Sequence, residues 1–242
     1  KIRRYLIITP FFPNENSYVG SYVYDQVKTI QEQSDYHIEV IKVVGFTSSE
    51  KEYIFKGIKV HIFKILDLPF FIFPGIFNII NSILIRRFVK SRFISKDLVI
   101  VHAHVCYPSA YLANALSDKF QVKTIIQHHG IDTLQLLNVR FPIITRFQNL
   151  YLRKRSINQI NRIDLNVSVS ERVQKNLYIN KDYQPKSEYV LYNGVDRHKF
   201  YPMEISKPDN SFEIGYVANF WPIKDHISLI KAIGLLKEEG FE

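Results

Sequence analysis

The chain has 242 residues, of which 46% are hydrophobic and 23% are charged. This balance is typical of a folded globular protein and excludes a disordered, collagen-like or coiled-coil chain. At about 150 residues per domain, the length lies between one domain and two. Cys106 is the single cysteine, so the chain cannot form an intrachain disulfide, and we expect a cytoplasmic protein in a reducing compartment.

The net charge of +9 indicates an anionic partner. The positive residues are partly clustered, at Arg86, Arg87, Lys90 and Arg92 and again at Arg153, Lys154 and Arg155. The sequence has no zinc-finger spacing, RNA-binding aromatic signature or basic zipper. We therefore expect no nucleic acid as a partner, and an anionic membrane surface or a phosphorylated ligand instead.

Strand patterns and helix patterns alternate along the chain. Apolar, β-branched runs predict strands over residues 5–9, 36–44, 58–65, 98–102, 122–127, 165–169 and 189–192. Apolar residues at helical spacing predict helices after Gly20, over 76–93, 108–116 and 143–163, and from Ser170 and Glu171 onward. After a polar segment, residues 212–217 predict one more strand and 225–237 one more helix.

The helix predicted over residues 76–93 is amphipathic. Its polar residues recur every four positions, at Asn78, Ser82, Arg86 and Lys90, and its apolar face carries Phe77, Ile80, Leu84 and Phe88. Prolines and asparagines in and before this segment exclude a membrane span. Two interpretations stay open: a helix packed on a sheet with solvated cations, or a helix in an anionic membrane interface, with Arg86, Arg87, Lys90 and Arg92 facing the lipid.

Alternating strands and helices predict an α/β fold with a parallel sheet that is covered on both faces. Such sheets bind ligands at the carboxyl ends of their strands, near the point where the strand order reverses. This rule directs attention to the loops after Thr9, His102, Gln127 and Tyr192. The polar, proline-containing segment 197–211 has the composition of a linker between domains.

Several motifs together resemble family-4 retaining glycosyltransferases of the GT-B fold. In chain order they are Thr9-Pro10-Phe11-Phe12-Pro13, Val19-Gly20 before a helix, His102-Ala103-His104, His129-Gly130-Ile131-Asp132, Asn193-Gly194-Val195-Asp196, and Gly215-Tyr216-Val217-Ala218-Asn219 with Pro222 and Lys224. Each motif is weak alone. Their common order over nearly the whole chain is what carries the resemblance.

The resemblance implies two facing Rossmann-like domains with the reaction in the cleft between them. Residues 1–196 would be the acceptor-binding domain, 197–211 the linker, and 212–242 the first βα unit of the donor-binding domain. The donor would be a nucleotide-diphosphate sugar and the acceptor a glycan or lipid-linked molecule in cell-envelope polysaccharide synthesis, with no cofactor and no metal. The family's Glu-x7-Glu motif is not found after the linker, so we expect the chain to lack most of the donor domain and to be inactive alone.

Site residues follow from the same resemblance. His129 would be the catalytic residue, acting through hydrogen bonds to the donor sugar, with His128 as its rival. Gly20, Asn219 and Lys224 would bind the donor phosphates, although the family usually has Arg where Asn219 stands and a paired glycine near Gly20. His104, Gly130 and Asn193 would line the cleft. The His102 and His104 pair has the spacing of metal ligands in a strand, but no third ligand accompanies it.

Two alternatives remain. A GT-B nucleotide-sugar epimerase needs acidic groups for proton transfer, and the sequence offers no evident carboxylate pair for that role. The chain would otherwise be a non-catalytic half that binds acceptor and docks on the membrane.

Overall fold

The computed structural model describes residues 2–68, 75–92, 97–130, 142–198, 200–202, 214–218, 220 and 224–240. It divides the chain into two compact units, Lys1–Gly194 and Val195–Glu242, which we call unit 1 and unit 2.

Unit 1 is built on one eight-stranded sheet. Its strands are β1 Arg3–Thr9, β2 Tyr36–Gly45, β3 Tyr53–Phe55, β4 Ile58–Ile65, β5 Leu98–His104, β6 Lys123–His128, β7 Leu165–Ser168 and β8 Glu188–Val190. They lie in the order β3-β4-β2-β1-β5-β6-β7-β8. All neighbouring strands are parallel except β3 and β4, which are antiparallel.

Helices cover both faces of this sheet. They are α1 Ser21–Gln33, α2 Asn78–Arg92, α3 Tyr111–Phe120, α4 Pro142–Arg162 and α5 Glu171–Tyr178, and unit 2 contains α6 His226–Glu238. Because side chains alternate along a strand, β1 contributes to two cores. Tyr5 and Ile7 pack with Val23 and Val27 of α1, whereas Leu6 and Ile8 belong to the core that includes residues of α2, α3 and α4.

Most predicted elements are present with shifted ends. The helix predicted over 108–116 begins only at Tyr111, because Cys106–Ala110 forms a π-helical turn in which Tyr107 is extended. The strand predicted over 212–217 is wrong for its described part: residues 214–217 are not in a strand, and no described strand pairs with them. A single strand without a partner is not stable, which is the physical reason. The short antiparallel strand β3 escaped prediction.

The buried face of α2 is rotated relative to the predicted one, although Leu84 and Phe88 of the predicted face pack against the core. Its buried row is Asn81, Ile85 and Val89. Asn81 fixes this rotation, because its side chain donates to the Leu66 carbonyl at 2.8 Å and accepts from the Leu66 amide at 2.9 Å. Ile80, which the sequence places on the packed face, is 45% exposed.

Two of the four predicted membrane-facing cations have partners within unit 1. Arg86 donates through Nε to the Ala115 carbonyl at 2.8 Å and so ties α2 to α3. Arg92 pairs with Glu52 at 2.6 Å and lies over the Phe88 ring. Arg86 is half-buried, whereas Arg87, Lys90 and Arg92 are exposed, and their contact with lipid stays a prediction. Among the described residues, no helix combines the length and apolar character that crossing a membrane requires.

Gly20, directly before α1, lies against the backbone of the loop that follows β1. Its φ is +87°, and a Cβ there would lie 2.5 Å from the carbonyl carbon and oxygen of Phe11. Only glycine tolerates both this conformation and this approach. The start of α1 is thereby held against the loop that follows β1.

We predict that Gly20→Ala destabilises unit 1 more than Gly57→Ala does. Gly57 is the matched control, because its φ is +84° but a Cβ there meets nothing within 4 Å. Gly57→Ala should reduce the free energy of unfolding by about 1–2 kcal/mol, from backbone strain alone. Gly20→Ala should cause the same loss and a further reduction of about 1–3 kcal/mol in the free energy of unfolding, because the new Cβ overlaps with Phe11. Urea unfolding of both variants measures the difference, and equal losses would contradict the argument.

Candidate functional site

The candidate site lies where the strand order of the sheet reverses. From β1 the chain builds outward through β2 to β4, and it then returns to place β5 on the other side of β1. Loops that leave β1 and β5 therefore run in opposite directions and open a crevice at the carboxyl ends of these strands. Two of the predicted site loops, the one after Thr9 and the one after the strand of His102, lie at this edge.

A row of imidazole rings crosses this edge on the α1 side of the sheet. His102 and His104 are two residues apart on β5, so both rings point to the same face, and they stack with centroids 4.6 Å apart. Tyr5 of β1 shares a 2.9 Å hydrogen bond with His102 Nδ1. His104 Nδ1 forms a 2.9 Å hydrogen bond with His129 Nε2, and these two rings are nearly parallel, with centroids 5.2 Å apart.

His129 is the outermost member of this row. It directly follows β6, is half-buried, and has its ring 4.5 Å from that of Tyr22 in the first turn of α1. The first turn of α1 carries no acidic residue. His129 therefore sits beside a helix start whose backbone dipole favours an anion.

Burial keeps this row uncharged. Loss of hydration lowers the pKa of His102 to about 3 and that of His129 to about 4, and it lowers the pKa of His104 as well. The neighbouring imidazoles act in the same direction. At neutral pH these rings can donate and accept hydrogen bonds, but they cannot supply positive charge to a phosphate.

His128, the rival of His129, is directed to the other face of the sheet. It is fully buried and forms a 2.9 Å hydrogen bond with Asn166 Oδ1, while the Asn166 amide donates to the Ile160 carbonyl. This arrangement holds the ends of β6, β7 and α4 together. Adjacent residues at the end of β6 thus divide the two roles: His128, the last residue of the strand, is structural, and His129, the next residue, reaches the crevice edge.

The other predicted site residues are placed as follows. His104 does not line an open cleft, because it is 0% exposed behind His129, and that prediction is wrong. Gly130 is half-buried next to His129, and Asn193 is exposed near the end of unit 1. Lys224 is exposed in unit 2, where Asp225 caps α6. Asn219, Ile131 and Asp132 lie outside the described residues.

The close approach that the sequence predicts at Gly20 exists, and the group that it approaches is the protein's own backbone at Phe11. A contact of Gly20 with a donor phosphate stays a prediction. The structure does not support a metal site at His102 and His104. His102 Nδ1 is hydrogen-bonded to Tyr5, and His104 Nδ1 is hydrogen-bonded to His129. The described residues contain no group of side chains that could hold a metal ion.

Tyr5 and Tyr22 are the site residues that sequence reasoning missed. Tyr5 is an apolar-run residue of β1, and Tyr22 is an ordinary residue of a helix start. The sequence signal that points to this site is the two-residue spacing of His102 and His104, which predicts that both side chains lie on the same face of the sheet. Which strand lies beside that face depends on strand order, and no local pattern encodes it.

Comparisons with known proteins agree with this architecture. The sequence model of Glycosyltransferase Family 4 matches residues 19–199. Sucrose-phosphate synthase from Thermosynechococcus elongatus superimposes with a TM-score of 0.57 at 9% identity, over 83% of this chain and 50% of that enzyme. A part of the same synthase gives 0.51 at 9% identity, over 80% of this chain and 91% of that part.

A trehalose-6-phosphate protein from E. coli, solved with UDP-2-fluoro glucose, gives a TM-score of 0.50 at 12% identity, over 81% of this chain and 50% of that one. The chain thus spans about half the length of these whole proteins. No curated protein sequence matches the chain. At such identities the likeness concerns the fold, and the predicted Rossmann-like domain of the GT-B type is confirmed.

The buried histidines predict a loss of stability in mild acid. Their pKa is about 6.5 in the unfolded chain, whereas His128 and His129 have about 4 in the folded protein. Between these values the unfolded state binds more protons, so stability falls as the pH falls below 6.5. Each such histidine should remove about 2 kcal/mol between pH 7.5 and pH 5.

His128→Gln tests this prediction, because a Gln amide can still donate to Asn166. The variant should lose about 2 kcal/mol less than the wild type between the two pH values in urea unfolding. Identical pH dependence of variant and wild type would contradict the assignment of a lowered pKa to His128.

Proposed function

The chain belongs to Glycosyltransferase Family 4, and from that premise we propose that it is part of a retaining glycosyltransferase. The enzyme would move a sugar from a nucleotide-diphosphate donor to a glycan or lipid-linked acceptor in cell-envelope polysaccharide synthesis. It would act at the cytoplasmic face of a membrane, without a metal or other cofactor. Unit 1 would be the acceptor-binding domain, and unit 2 would begin the donor-binding domain.

The observation that carries this proposal is the setting of His129. Its ring is held from behind by His104 at 2.9 Å, is flanked by Tyr22, and lies at the edge where the strand order reverses. Groups on rigid elements at that edge are well suited to position a substrate. A neutral imidazole there can hydrogen-bond a sugar hydroxyl or a diphosphate oxygen.

The chemistry divides between orientation and charge. When the bond between the anomeric carbon and the diphosphate oxygen breaks, positive charge develops on the sugar and negative charge on the leaving diphosphate. The acceptor oxygen forms the new bond, and its proton leaves with the diphosphate product. In our proposal His129 orients the donor, and Lys224, which is exposed before α6, neutralises the diphosphate.

The rival epimerase has less support at this site. Proton abstraction and return require positioned acids and bases whose pKa lies near the pH at which the enzyme works. The described groups in contact with His129 are His104 and Tyr22, and burial keeps the imidazoles neutral. This setting suits hydrogen bonding better than proton transfer.

His129→Ala tests the proposed reaction in the complete enzyme. We expect kcat for release of the nucleotide diphosphate from a panel of UDP- and GDP-sugars to fall about 100-fold, as when one transition-state hydrogen bond is removed. His128→Gln is the matched control and should keep kcat within about threefold. The anomeric configuration of the product, read by NMR, should equal that of the donor.

Wild-type activity in His129→Ala would contradict the role of His129. Failure of the complete enzyme to consume any nucleotide sugar in the presence of lipid-linked acceptors would contradict the transferase and favour a non-catalytic half.

The outward face of α2 supports the membrane part of the proposal. Ile79, Ile80 and Ile83 are between 43% and 79% exposed on this face, and Ile76, just before the helix, is 47% exposed. Arg87 and Lys90 continue the face toward the end of the helix. Isoleucines followed by cations match the interface of an anionic lipid surface, in which apolar residues enter the acyl boundary and cations meet the headgroups.

The positive charge extends beyond α2. Arg87 borders an open groove together with Lys51 and Lys64. The carboxylates beside that groove are engaged elsewhere, because Glu50 pairs with Lys42 at 2.6 Å and Glu52 pairs with Arg92 at 2.6 Å. Among the described residues these three cations form no ion pair, so their charge is available to an anionic surface.

Vesicle sedimentation tests the docking surface. The chain should bind vesicles that contain phosphatidylserine and not vesicles of phosphatidylcholine alone. Arg87→Glu with Lys90→Glu should weaken binding by about 25-fold or more, given about 1 kcal/mol for each cation. Arg153→Glu with Lys154→Glu makes the same charge change on exposed residues of α4 and should weaken binding much less. Equal, negligible binding to both lipids would overturn this part of the proposal.

A further inference from the structure

We propose that His104 is a positioning residue that fixes the tautomer of His129: it donates Nδ1–H to His129 Nε2 and so holds the proton of His129 on Nδ1. This inference rests on the proposed function, in which His129 meets the sugar donor. The inference specifies the hydrogen-bonding role of His129 toward a ligand, because His129 would present an N–H donor and not an unprotonated nitrogen. The matching ligand atom is an acceptor oxygen of a sugar hydroxyl or a diphosphate.

The 2.9 Å contact between His104 Nδ1 and His129 Nε2 allows only two neutral arrangements. A neutral imidazole has one N–H and one lone pair, so one ring must donate and the other accept. If His104 donates from Nδ1, its Nε2 carries a lone pair and His129 carries its proton on Nδ1. If His129 donates from Nε2, His104 carries its proton on Nε2, and His129 Nδ1 is bare.

The far side of His104 decides between these arrangements. Its Nε2 is completely buried and has no hydrogen-bond partner among the described residues. A buried N–H without an acceptor is the rarer and more costly deficiency, whereas an under-used acceptor is more often tolerated. The arrangement with a bare Nε2 on His104 is therefore favoured, and it places the proton of His129 on Nδ1.

The surroundings make His104 a rigid support. It is on β5, a central strand of the sheet, and its ring lies between those of His102 at 4.6 Å and His129 at 5.2 Å. The two contacts are both nearly parallel, with interplanar angles of 26° and 14°. Tyr22 closes the other side of His129 at 4.5 Å. His129 thus has little freedom to turn its ring and exchange its two nitrogens.

Nitrogen-15 NMR of the histidine rings in the full chain tests this assignment directly. At pH 7.5, His129 should show a protonated Nδ1 and an unprotonated Nε2. His128 provides an internal reference of opposite type, because Asn166 Oδ1 accepts from its Nε2 and so requires the Nε2–H form. Signals are assigned by their loss in His129→Gln and His128→Gln. A protonated Nε2 on His129 in the wild type would overturn the inference.

Two substitutions of His104 then test its control over His129. His104→Asn keeps an N–H donor near the Nδ1 position, so His129 should retain the Nδ1–H form. His104→Leu removes the donor, and His129 should become a mixture of both tautomers. Backbone amide spectra establish that each variant is folded. An unchanged His129 tautomer in a folded His104→Leu would contradict the positioning role.

Kinetics of the complete enzyme give a second readout. His104→Leu should lower kcat about 5- to 10-fold, the value of one hydrogen bond, and His104→Asn should restore it to within about threefold. The NMR result does not depend on transferase activity. An Nδ1–H tautomer in an enzyme that transfers no sugar would refute the proposed function alone, and an Nε2–H tautomer in an active enzyme would refute this inference alone.

Discussion

The adjacency of β1 and β5 is the constraint on which the rest of unit 1 depends. These strands are distant in sequence, and between them the chain forms α1, β2, β3, β4 and α2. Returning β5 to the side of β1 creates the crevice at their carboxyl ends and brings Tyr5 against His102. The Gly20 contact with Phe11 then sets the start of α1 at the same edge. The half-buried place of His129 results from these long-range contacts together.

Desolvation decides what this edge can do. The same packing that fixes the imidazole rings removes the water that would stabilise their charged forms, so the pKa of His102 and of His129 falls. A rigid and neutral row is well suited to orient a ligand, since its hydrogen bonds have fixed direction. It is poorly suited to neutralise a diphosphate. In the proposed reaction, the positive charge for the diphosphate would therefore come from residues outside the row.

The sequence predicts what local pattern determines. Alternation and apolar runs locate most strands of the sheet, and Ser170 is correctly predicted to start α5, where its side chain accepts from the Val173 amide. Local sequence patterns do not predict the orientation of an element where a contact between residues distant in sequence determines it. The polar spacing in α2 predicts one face, but the hydrogen bonds of Asn81 with Leu66 rotate a different row into the core. The position of His129 after a strand could be predicted from sequence; its partners His104 and Tyr22 could not, because they depend on strand order.

The two surfaces with proposed roles lie on opposite faces of the sheet. Ile7, which is in register with His102, packs with α1, whereas Ile8 packs in the core that includes Ile85 and Val89 of α2. A lipid surface bound through the outer isoleucines of α2 would therefore contact unit 1 on the face opposite to the imidazole row. Docking and ligand binding then do not compete for the same residues. This separation also means that charge changes on α2 would alter the proposed membrane binding without altering the hydration of the histidines, so the two properties could be varied independently in one protein.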